Sequence, residues 1–79
     1  MENQRVAHRH RVLKAGTIEF KGGGLSCTIR NMSSSGAALD VTSPDGIPEY
    51  FTLAVLADGR HMSCHVVWRK EKRIGIAFD

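Results

Sequence analysis

The chain has 79 residues, enough for one small domain with a single core and too few for a two-lobed enzyme. Apolar residues make up 42% and charged residues 24%, both ordinary for a globular chain, which excludes wholesale disorder. The net charge of +3 falls short of what a dedicated nucleic-acid binder carries. It is also unevenly placed, because Arg5, Arg9, Arg11 and Lys14 face only Glu2 in the opening segment.

Residues 1–13 are mostly polar and basic, apolar inside the segment only at Val6, Ala7 and Val12 and at its ends at Met1 and Leu13, and are expected to form a flexible arm. They contain no apolar h-region, so they do not read as a secretory signal. No apolar run elsewhere is long enough to span a bilayer; a cytoplasmic protein without a membrane partner is expected.

Residues 14–79 alternate far more than they cycle. The first short strand is expected over 17–20 and ends at Gly22-Gly23-Gly24. Over 25–32, Leu25, Cys27 and Ile29 share one parity, the period of a strand with one buried face. After a polar turn comes a third strand over 37–41, then the breaker Ser43-Pro44-Asp45-Gly46-Ile47-Pro48. A fourth, over 51–56, is joined to a fifth, over 61–70, by Asp58-Gly59, a hairpin signal. Met62, Cys64, Val66 and Trp68 share the inward parity of the fifth strand, so Trp68 is expected in the core with its indole N–H on a carbonyl. Lys70-Glu71-Lys72-Arg73 is expected as the next hairpin tip, and 74–78 as the last strand. Six short strands without a helical period predict an all-β fold, a six-stranded antiparallel β-barrel whose closure removes exposed edges. No long C-terminal helix is expected.

Two short motifs carry candidate chemistry. Arg5 and Arg9 form an RxxxR spacing, and residues 31–36 form NxSxxG through Asn31, Ser33 and Gly36. Alone, each is weak: spaced arginines occur in any basic arm, and NxSxxG is an ordinary turn. Together they offer more. Guanidinium groups stack on bases and bond guanine edges or phosphate oxygens in pairs. The turn supplies an amide, a hydroxyl and a glycine that admits close backbone approach. A basic arm closing over such a turn has the parts of a purine-nucleotide clamp.

In these blocks the sequence resembles the PilZ domain, a bacterial receptor for the second messenger cyclic di-GMP. The resemblance runs through Arg5 to Arg9, Arg11-Val12, residues 27–36, Val66-Val67-Trp68 and Arg73-Ile74-Gly75-Ile76-Ala77-Phe78. It implies a six-stranded barrel, in agreement with the strand count. It also implies that Arg5 and Arg9 hold guanine and phosphate, that Asn31, Ser33 and Gly36 take the ligand's other side, and that the arm folds over the barrel on binding. His8 and Arg11 are secondary candidates. Many members carry a further arginine where Gln4 stands, which leaves one nucleotide or an intercalated pair open. A single domain of this kind would signal through a protein partner.

Other classes fit less well. His61, Cys64 and His65 are the nearest metal-like set, but on a strand neighbouring side chains point to opposite faces, so no metal site is expected. Cys27 and Cys64 read as buried thiols. No acid pair or nucleophile arrangement points to catalysis, and no cofactor is expected. An interaction module that binds no nucleotide is the main alternative. A small RNA-binding barrel is the weaker one, since Phe20, Tyr50, Phe51, Trp68 and Phe78 fall mostly at core parity; nucleic acid is not an expected partner.

Overall fold

The alternating segments fold as strands because each buries one face and exposes the other. A computed structural model describes residues 10–79, with side chains from Leu13 onward. Strands β1 (His10–Phe20), β2 (Gly23–Met32), β3 (Gly36–Asp40), β4 (Tyr50–Val55), β5 (Arg60–Lys70) and β6 (Arg73–Phe78) close into an antiparallel barrel in the order β1-β2-β3-β6-β5-β4. Each strand sends one fully buried side chain to the centre: Ile18, Ile29, Leu39, Leu53, Cys64 and Ile74. Burial of each aliphatic member contributes about 1.5–3 kcal/mol. A 3-10 turn, Pro44–Gly46, leads into buried Ile47 and closes one barrel end. Arg69 Nη1 donates to the Pro44 carbonyl at 2.6 Å across that end.

The expected turns are present. Gly22 (φ 97) ends the β1–β2 hairpin and Gly59 (φ 68) the β4–β5 hairpin, both in the region that favours glycine. Asp58 Oδ1 accepts the Arg60 amide at 3.3 Å, which shapes the second of these. At the β5–β6 tip the positive φ (51) falls on Glu71, which has no such licence.

Three bulges interrupt the ladders. Arg11 pairs with Asn31 and Lys14 with Ile29, so Val12 and Leu13 face Arg30 alone, and Leu13 takes φ 44. Arg30 is in turn the extra residue between β2 and β3, where Ile29 pairs with Leu39 and Asn31 with Ala38. Val67 is the extra residue between β5 and β6, where Val66 pairs with Ile76 and Trp68 with Gly75. A bulge shifts the inside–outside phase of everything beyond it. Met32 therefore packs against the core, although sequence alternation puts it on the outward parity.

Two expectations are corrected by these features. Trp68 is not in the core: the Val67 bulge turns it outward, it is 44% exposed, and Tyr50 is 66% exposed. The first strand starts at His10, so residues 10–13 are paired with β2 instead of belonging wholly to an arm. Only residues 16–19 of β1 pair with β4, so the earlier half has one neighbour. It needs no strict apolar alternation, which is why sequence periodicity does not mark it.

Candidate functional site

His10 pairs with Met32 and Arg11 with Asn31, so the chain enters the barrel beside the turn that joins β2 to β3. Gln4, Arg5, His8 and Arg9 lie outside the described residues, and of Arg11 only the backbone is placed. The residues of NxSxxG are all described.

Asn31 is half-buried, between Arg11 on β1 and Ala38 on β3. Ser33 organises the turn. Its Oγ accepts the amides of Ser35 at 3.2 Å and Gly36 at 3.3 Å, which uses both hydroxyl lone pairs. Its single proton has the Ser35 Oγ at 3.2 Å and the Gly36 carbonyl at 3.4 Å within reach. That carbonyl already accepts the Ser33 amide at 2.8 Å. The hydroxyl proton therefore also finds its acceptors inside the turn.

Gly36 is also required by the barrel wall itself. It is buried and has no positive φ, and a Cβ there would collide with the Ile76 carbonyl oxygen of β6. The close approach it permits is between two strands of the barrel wall. The Ser35 carbonyl also accepts the Phe78 amide at 2.9 Å, so β6 holds the turn at two points.

A row of paired residues crosses the barrel wall at the level of this site: Arg11, Asn31, Ala38, Gly75 and Trp68. The indole of Trp68 lies over Gly75, where a Cβ would press into the ring. Sequence reading missed Trp68 as a surface residue. The signal was Val66-Val67-Trp68, a run that breaks alternation as a bulged strand does. Below this row, Asp40 bridges two guanidinium groups: Arg73 Nε donates to Oδ1 at 2.6 Å, and Arg30 Nε lies 3.5 Å from Oδ2.

Among the described residues the histidines and cysteines do not converge. Cys64 is buried and its Sγ donates to the Phe51 carbonyl at 3.5 Å. His61 lies 3.8 Å from Glu19, and His65 2.7 Å from Asp79. Among the described residues no group of three could hold a metal ion. Burial pushes the Cys27 thiol up to about 11, and burial, with Asp79 nearby, pushes Cys64 up to about 12. Both are poor nucleophiles as a result.

The profile of the PilZ domain matches residues 3–79. The chain belongs to the PilZ domain family. PilZ domains are cyclic di-GMP receptors, a family of binding rather than catalytic domains. A search of curated proteins found no match. Among the described residues, no helix of this PilZ domain is long and apolar enough to cross a membrane.

Proposed function

We propose that this PilZ domain binds cyclic di-GMP where its N-terminal segment meets the NxSxxG turn, and that binding changes the surface it presents to a protein partner. The observation that carries this is the register: His10 opposite Met32 and Arg11 opposite Asn31 tie the chain bearing Arg5 and Arg9 to the turn that bears Asn31 and Ser33. Arg9 is bonded directly to His10, so its attachment point is fixed beside that turn.

The roles follow from chemistry. Arg5 and Arg9 supply stacking planes and paired donors for guanine and phosphate. Asn31 presents an amide to a guanine edge. Ser33 turns its proton from the long 3.4 Å bond to the Gly36 carbonyl towards a phosphate oxygen, while its lone pairs keep the turn in shape. Gly36 acts as a positioning residue that lets β6 brace the turn. The exposed face of Trp68, in the same row as Asn31, offers a stacking surface for a purine. Gln4, His8 and Arg11 stand next to these positions as secondary contacts. The arm settles onto the barrel as the ligand binds, and a partner distinguishes the two states by the altered surface.

The test is isothermal titration of cyclic di-GMP into the wild type and Arg9→Ala, followed in parallel by the emission of the single tryptophan. Saturable heat and quenching, both lost in Arg9→Ala while the thermal melt is unchanged, are expected. No heat from the folded wild type would refute the proposal.

A second reading, a PilZ barrel working by protein contact alone, is favoured by one observation. The turn bonds of Ser33 and the packing of Gly36 against β6 account for both residues without a ligand. The same titration separates the two readings.

A further inference from the structure

Trp68 and Gly75 are paired across β5 and β6, and Arg73 stands two residues before Gly75 on the same face of β6. Arg73 and Trp68 line one shallow groove, which places a guanidinium beside the indole. Arg73 Nε donates to Asp40 Oδ1 at 2.6 Å, and Arg30 Nε lies 3.5 Å from the other carboxylate oxygen. Asp40 and Arg73 are also direct strand partners. One nitrogen of Arg73 is thus tied to a carboxylate that Arg30 and the β3–β6 ladder hold in turn. The two terminal nitrogens of Arg73 have no partner among the described residues. They form a fork of paired donors, oriented in advance and next to an aromatic face.

We propose that this fork reads the base stacked on Trp68 by donating to guanine O6 and N7, which makes Arg73 a determinant of guanine over adenine. The inference rests on the nucleotide-binding reading above and adds to it a residue outside both motifs. Guanine has two unlike edges: O6 and N7 accept, whereas its Watson–Crick edge donates through N1–H and N2–H. The paired row through Trp68, Gly75 and Ala38 ends at Asn31, the amide assigned to a guanine edge. Arg73, one step from that row towards the β5–β6 tip, supplies donors for the acceptor edge. Adenine sets an N6 donor beside N7, so its edge matches only half of the fork. Net charge does not decide the choice. In the groove Lys70, Lys72 and Arg73 stand against Asp40 and Glu71, an excess of one positive charge. A base edge, unlike a carboxylate or a phosphate, carries no net charge for Glu71 to repel. Asp40 acts through Arg73 and is a positioning residue.

The test is calorimetric titration of cyclic di-GMP and of its adenine counterpart, cyclic di-AMP, into the full chain. The wild type should prefer guanine. Arg73→Gln should weaken cyclic di-GMP about tenfold, the order of discrimination that one bidentate pair gives. It should leave cyclic di-AMP unchanged or tighten it, because a glutamine amide matches adenine N6 and N7. Arg73→Lys keeps the charge but loses the fork, and should lower the guanine preference as well. Asp40→Ala, which frees the guanidinium, should lower it by a smaller factor. Lys72→Gln removes the same charge from the same groove and should leave the preference unchanged. Thermal melts of each variant verify the fold. An unchanged guanine preference in both Arg73 variants, with cyclic di-GMP bound by the wild type, would overturn this inference and leave the nucleotide site standing. Equal weakening of both dinucleotides would overturn it too and make Arg73 a phosphate contact. No binding of either dinucleotide by the folded wild type would overturn both readings together.

Discussion

Replacing Gly36 by alanine separates two explanations of the motif glycine. If it serves only to admit a ligand, the unliganded barrel should tolerate a methyl group. The structure says otherwise: the added Cβ would collide with the Ile76 carbonyl oxygen and sit 3.3 Å from its carbon and 3.4 Å from the Ala77 Cα. All three are backbone atoms, so no side-chain rotation relieves the contact, and β3 and β6 must part along their ladder. Overpacking of this kind costs about 1–3 kcal/mol. Alanine returns about 0.4–1 kcal/mol by restricting the unfolded chain. A collision with backbone belongs at the upper end of the overpacking range, about 2–3 kcal/mol. The net loss is therefore about 1–2.5 kcal/mol, which for a domain of this size lowers the melting temperature by roughly 4–20 °C. Thermal and urea unfolding followed by circular dichroism, both without ligand, measure it directly. Stability within about 0.5 kcal/mol of wild type would refute the packing argument and return Gly36 to a purely ligand-facing role.

Two further outcomes are expected of the fold. Glu71→Gly should stabilise the chain by up to about 1 kcal/mol, because the positive φ of the β5–β6 tip costs a side-chain-bearing residue more than it costs glycine; a lower urea midpoint would contradict this. The two buried thiols make stability sensitive to alkali. Their folded pKa values of about 11 and about 12 lie above the unfolded 9.0, so the unfolded chain releases protons first. Their contribution is complete below pH 9 and is lost as the pH climbs toward 11 to 12. The urea midpoint should fall over that window, and less steeply in Cys64→Ala, whatever that variant's own stability; equal slopes would exclude the Cys64 thiol as a cause.

The candidate site was partly legible. Asn31, Ser33 and Gly36 stood out by spacing, yet sequence assigned Gly36 to a ligand, and only the pairing of Gly36 with Ala77 shows what it meets. Ser33 was legible as a polar donor; that its lone pairs accept from Ser35 and Gly36 and its proton reaches the Gly36 carbonyl at 3.4 Å follows from the turn geometry alone. The chemistry of the RxxxR arm remains a matter of residue type, since Arg5 and Arg9 lie outside the described residues.

Six strands, their order along the chain and the turns at Gly22 and Gly59 were determined by the sequence itself, because alternation, turn residues and breakers act over a few residues. The inward or outward direction of Met32 and Trp68 was not. It is set by extra residues at Arg30 and Val67, which exist only relative to the partner strands they fail to match. Barrel closure decides that mismatch by forcing six staggered ladders to meet. The register that ties His10 and Arg11 to Met32 and Asn31 is likewise a property of paired strands far apart in sequence, and it is what brings the arm's attachment to the turn.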